Sequence, residues 1–219
     1  MNKDKLSDIF KGITEDLIKA ERSYICIQKL KDSTIHKTQE THVLHSFSYI
    51  YSLLLNEFIL SMGRIFEPYK KGNDTRCFNR ILNELKSSTD SFPLFNYKEM
   101  VINELNMRNL NFGDGSEKDF KKYLCLFIEQ DLIQYHDTVK KIKTWKDKSL
   151  SHNDTIGKVP DISYVDLFEL LNYAWNLIAV LQWSLTNTII KHEQTEFLRN
   201  DIKRNTNWWI KFVEYFSEN

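Results

Sequence analysis

Between Trp145 and Asp154 the chain reads Trp-Lys-Asp-Lys-Ser-Leu-Ser-His-Asn-Asp, which places one imidazole, His152, among lysines and two carboxylates, Asp147 and Asp154. A histidine near its ordinary pKa of about 6.5 takes up or gives up a proton at neutral pH. Five lysines (140, 141, 143, 146 and 148) stand between positions 140 and 148 against Asp147, so the span is strongly basic. Together these groups suit one reaction, the cleavage of RNA without a metal. It needs a base for the ribose 2′-hydroxyl, a cation for the charge that grows on phosphorus, and an acid for the leaving oxygen. His152 is the candidate base or acid, and Lys146 and Lys148 are the candidate cations. The plainer reading of the same residues is a solvated lysine face at a helix end, where cations are favoured by the helix dipole, with a histidine of structural use.

Arg64 is a further candidate. It stands among Leu60, Met62, Ile65 and Phe66, where an unpaired charge is costly. Either it is bonded to a carboxylate such as Glu57 or to helix carbonyls, or it reaches the His152 site as a replacement cation. His42 and His45 lack the carboxylate-rich partner of a metal site, and no metal or cofactor is expected. Gly113-Asp-Gly115 lacks the ending of a phosphate loop and reads as a turn. Trp208-Trp209 can stack bases, though such a pair on an amphipathic helix more often serves a core or an oligomer contact.

Six glycines and three prolines in 219 residues, and no strictly alternating stretch, predict an all-α chain. The spacing predicts helices over 3–31 and 37–66, the second with Leu44, Phe47, Tyr51, Leu54, Phe58, Met62 and Ile65 along one face and stopped by Pro68 and Gly72. Short helices are expected near 75–85 and 97–109. A long one then runs from a capped start at Ser116 and Asp119 to about Leu150, carrying Tyr135, Val139, Ile142 and Trp145. The helix opened by Ser163 and Asp166, to about Lys191, is apolar around most of its circumference and is expected at the centre of the bundle. A terminal helix over 196–217 completes one domain, 1–219, with its core in 37–191.

Thirty basic and thirty acidic residues cancel, so nothing global marks a nucleic-acid or membrane binder and any such partner must meet a local patch. Cys26, Cys77 and Cys125 form no CxxC pair and fit a reducing cytosol better than a disulfide framework. The first residues have no apolar signal core, and Asn56, Glu57, Asn176 and Gln182 interrupt the most apolar stretches, so a cytoplasmic chain with no membrane partner is expected.

With two long core helices and a basic residue and histidine at a helix end, the chain resembles the HEPN superfamily, whose motif is Arg-x4-6-His. Lys146-Asp147-Lys148-Ser-Leu-Ser-His152-Asn-Asp154 looks like the Arg-Asp-Lys-x-x-x-His-x-Asp form of its abortive-infection AbiU-like branch. Phe58-Ile-Leu-Ser-Met-Gly-Arg64-Ile-Phe66 and Tyr173-Ala-Trp175 are similar to that branch as well. Where the motif has arginine this chain has Lys146, which lacks the planar fork that grips a phosphate. On an ideal helix Lys146 also points about 120° away from His152.

The resemblance implies a metal-independent ribonuclease of a phage-defence or toxin-antitoxin system, with Asp147 and Asp154 orienting the histidine or holding the lysines. It also implies a homodimer with two motif-bearing helix ends across a cleft, and an antitoxin or other defence-system protein as a partner. The alternative is a HEPN-like module without activity, whose basic helix end binds RNA or a protein or supports a dimer.

Overall fold

The computed structural model describes residues 3–33, 41–70, 75–87, 117–147, 161–185 and 192–207, together with Lys211 and Tyr215. All regular structure among them is helical: α1 (Lys3–Asp32), α2 (Thr41–Ile65), α3 (Phe78–Ser87), α4 (Glu117–Gln134), α5 (His136–Trp145), α6 (Tyr164–Leu185) and α7 (His192–Asn205). The all-α expectation is met.

The spacing of apolar residues accounts for most of the core. Phe58, Met62 and Ile65 of α2 are fully buried, while Phe47, Tyr51 and Leu54 on the same stripe pack against Leu30 near the end of α1. By length and composition α2 could also cross a bilayer, and its first half leaves Tyr49 and Leu53 exposed. The start of α6 is a reciprocal cap: the Ser163 backbone N–H donates to Asp166 Oδ2 (3.3 Å), and the Asp166 N–H donates to Ser163 Oγ (3.0 Å). Leu167, Leu170, Leu171 and Ala174 then turn into the core, whereas Val165 and Phe168 stay exposed.

Two expectations need correction. The helix expected to run unbroken to about Leu150 is divided at Tyr135, whose φ of −97° and ψ of 11° lie outside the helical well. The break turns the Tyr135 ring onto Tyr173 of α6, with centroids 4.7 Å apart and planes 19° from parallel. It also buries Ile142 and leaves Ile133 74% exposed. A straight helix would carry the α4 stripe onward without this turn of face.

The core expected within 37–191 also takes in α1, which shares the centre of the bundle with α6, a helix buried around most of its circumference from Leu170 to Gln182. α1 packs against α2, α3, α6 and α7, and buries Leu6, Ile9, Ile13, Leu17, Ala20, Tyr24 and Ile27 at helical spacing. α5 touches both α2 and α6, and Phe66, just beyond α2, stacks on Tyr173 of α6 with centroids 6.1 Å apart and planes 20° from parallel.

α1 carries two buried carboxylates besides its apolar stripe. Glu21, 2% exposed, accepts from the Trp175 indole N–H (3.0 Å) and pairs with Arg199 Nη2 of α7 (3.1 Å). Removing one member of such a group strands the others in a low dielectric, which costs about 3 kcal/mol or more. Glu21→Ala is therefore expected to lower the urea-unfolding free energy by about 3 kcal/mol, and Glu21→Gln by less, because its amide oxygen still accepts from Trp175. A loss below about 0.5 kcal/mol for the alanine variant, within the range of an ordinary surface change, would show that the buried carboxylate does not hold the helices together.

Candidate functional site

Of the expected site residues, Arg64, Lys146 and Asp147 are among those described; Lys148, His152 and Asp154 lie outside them, as do Trp208-Trp209 and the 97–109 helix. The three described residues sit where the end of α2 meets the end of α5, and their cations are engaged by carboxylates.

Lys146 follows Trp145 in a turn that continues α5, with its backbone N–H directed to the Ile142 and Lys143 carbonyls. Its stem crosses α2 at Gly63, where an added Cβ would stand 2.9 Å from Lys146 Cδ and 3.7 Å from Ile142 Cγ2. The missing Cβ leaves the room that the lysine stem occupies as it passes α2. Beyond Gly63 the ammonium reaches Glu67 Oε1 at 3.1 Å, and the Lys146 side chain is only 16% exposed. Glu67 follows the C-terminal end of α2, where the helix dipole disfavours a negative charge, so the lysine offsets a local repulsion. The last carbonyls are covered too: Asn79 Nδ2 donates to the oxygens of Phe66 (3.3 Å) and Glu67 (3.0 Å).

Arg64 turns toward α1. Its Nη2 and Nε donate to Asp16 Oδ1 (2.7 and 3.1 Å), Nε also reaches Oδ2 (3.1 Å), and Nη2 contacts Ser61 Oγ (3.2 Å). Sequence reasoning anticipated a carboxylate partner but pointed to Glu57, which instead accepts from Ser61 Oγ at 3.4 Å. The Asp16 hydrogen bond raises the Arg64 pKa above the ordinary arginine value against the opposing effect of burial, with Asp16, Glu57 and Glu67 adding to the rise. Arg64 thus leaves α2 toward α1, while Lys146 reaches from the end of α5 onto Glu67. Asp16 and Glu67, the partners that engage these cations, do not stand out in the sequence. The only signal was their acidity near apolar helical stripes.

Of the lysines in this basic span, the described ones that face water lie on the outer side of α5. Lys140, Lys141 and Lys143 are exposed, and among the described residues none of them enters an ion pair. His136, Lys140 and Lys143 recur at i, i+4 and i+7 and share one helix face. They border a cleft of about 440 Å³ between α5 and the end of α2, walled by Phe66, Leu132, Val139 and Ile142. Among the described residues no cluster of histidine, cysteine and acidic side chains could hold a metal.

The cysteines are buried and separate. Burial pushes the Cys26 thiol up to about 12, and Cys77 and Cys125 shift in the same direction, chiefly through desolvation. None of the three is poised as a thiolate nucleophile near neutral pH.

Compared with known proteins, the chain matches no family model, no curated sequence and no solved structure.

The Cys26 shift gives a stability prediction with a definite sign. The thiol titrates from 9.0 when unfolded and near 12 when folded, so between those values the folded chain holds more protons. Its contribution is complete below pH 9 and is lost as pH rises toward 12. Replacing Cys26 by alanine should flatten the alkaline fall of the urea midpoint over that window, and the native thiol should resist a disulfide reagent at pH 8. An unchanged slope with rapid labelling would contradict the burial of this group.

Proposed function

We propose that this chain is a HEPN-like helical module of the AbiU-like branch that binds RNA through the outer lysine face of α5, in a phage-defence or toxin-antitoxin setting and as a homodimer. The observation that carries this reading is the division of the cations. Arg64 and Lys146 are engaged by Asp16 and Glu67, while Lys140, Lys141 and Lys143 stand exposed on one short helix of a formally neutral chain. Such a patch attracts phosphate without reading sequence, because each neutralised phosphate releases condensed counterions.

A second reading, catalysis without a metal, is favoured by the spacing of Lys148, His152 and Asp154 in the sequence. In that reaction a base removes the 2′-hydroxyl proton, the oxygen attacks the adjacent phosphorus, and the 5′-oxygen leaves with a proton from an acid. The products are a 2′,3′-cyclic phosphate end and a free 5′-hydroxyl. His152 would act as base or acid, Lys148 as the stabilising cation, and Asp147 and Asp154 as orienting groups, with Lys146 confined to holding α5 on α2.

Both readings are tested with one labelled single-stranded RNA. Replacing Lys140, Lys141 and Lys143 together by glutamine should weaken binding and reduce the slope of log affinity against log salt by about 2, since each lysine contributes about 0.7. An unchanged slope would remove α5 as the RNA contact. If the wild type cuts the RNA in EDTA and His152→Ala lowers the rate by about 100-fold or more, the catalytic reading displaces the binding one. Intact RNA with both proteins leaves the binding module standing.

A further inference from the structure

The cleft beside α5 joins two kinds of surface that neither RNA reading requires to be together. Its inner wall is apolar: Phe66 and Ile142 are almost wholly buried, and Leu132 and Val139 pack half-buried against the core. Its outer edge is the His136, Lys140 and Lys143 face of α5. At about 440 Å³ the space lies within the range of small-ligand sites. The carboxylate in its lining, Glu67, has its charge met by Lys146, so the lysines at the edge dominate the local field.

Apolar walls favour removing a compact hydrophobic body from water, and cations along one edge favour an anionic head at the mouth. A neutral apolar molecule would leave the lysines unused, and a highly charged one would gain nothing from the walls. We propose that this cleft binds a small amphipathic anion, with an aromatic or aliphatic body against Phe66, Leu132, Val139 and Ile142 and a single phosphate, sulfonate or carboxylate head at Lys140 and Lys143. A nucleoside monophosphate and a medium-chain acyl carboxylate share that chemistry. The site stands apart from the RNA reading, because it depends on the cleft walls as well as on the charge.

The test uses the full chain and the aromatic anion 8-anilinonaphthalene-1-sulfonate, whose fluorescence rises in apolar surroundings. Wild type should bind it saturably. Lys140→Glu with Lys143→Glu should weaken binding at least about tenfold, as expected for the loss and reversal of two charge contacts. Lys11→Glu with Lys122→Glu, the same charge change at exposed positions outside the cleft, should alter it less than about twofold. Leu132→Trp, which fills the cleft from its lip, should abolish binding while the helical circular-dichroism signal is retained. Displacement by adenosine monophosphate identifies a nucleotide body, and displacement by decanoate an acyl one. Equal affinity in the two charge variants, undiminished binding by the tryptophan variant, or displacement by neither competitor would overturn the proposal.

Discussion

A carboxylate taken out of water must find a cation or several donors, and α1 carries two that are almost fully buried, Asp16 at 8% and Glu21 at 2% exposure. Five residues apart, they point about 140° from each other on an ideal helix. Their partners therefore arrive from different sides. Asp16 is met by Arg64 of α2, and Glu21 by Trp175 of α6 and Arg199 of α7. Apolar burial supplies the drive for collapse, but it does not by itself decide which helix lies against which face. In this bundle the two carboxylates favour the observed neighbours, since losing those partners leaves a buried charge unmet.

The same accounting runs outward to the α2–α5 junction. Glu67, beside the carbonyl end of α2, is unfavourably placed until Lys146 reaches it across Gly63. Tyr135 breaks the α4–α5 path, stacks on Tyr173 and sets α5 at the angle from which that reach is made. At this junction the outer face of α5 stays open to a ligand, with exposed lysines on its surface and an apolar cleft at its side. An arginine or lysine in a helix-end motif is thus defined by its neighbours as much as by its spacing.

Much of the fold was legible because it depends on local pattern. The α2 stripe, the halt near Pro68 and the Ser163–Asp166 cap follow from residues within a few positions of one another. The centrality of α1 was not legible, since its carboxylates resemble ordinary solvent-facing acids until Arg64, 48 positions on, and Trp175, 154 positions on, are brought to them. The break at Tyr135 depends likewise on Tyr173. Of the candidate site, the basic character of α5 could be read directly, whereas the engagement of Lys146 by Glu67, 79 positions away, could not.

The central claim is that Lys146 holds α5 onto α2 and is not a cation held ready for phosphate. A double-mutant cycle over Lys146→Met and Glu67→Gln tests it most directly, with unfolding free energy and RNA affinity measured on each of the four proteins. The account predicts that the two substitutions are coupled in stability by about 0.5–1 kcal/mol, as for a partly buried ion pair, and that RNA affinity changes less than about threefold throughout. Additive stabilities together with a collapse of RNA binding or cleavage in Lys146→Met, whatever stands at position 67, would contradict it.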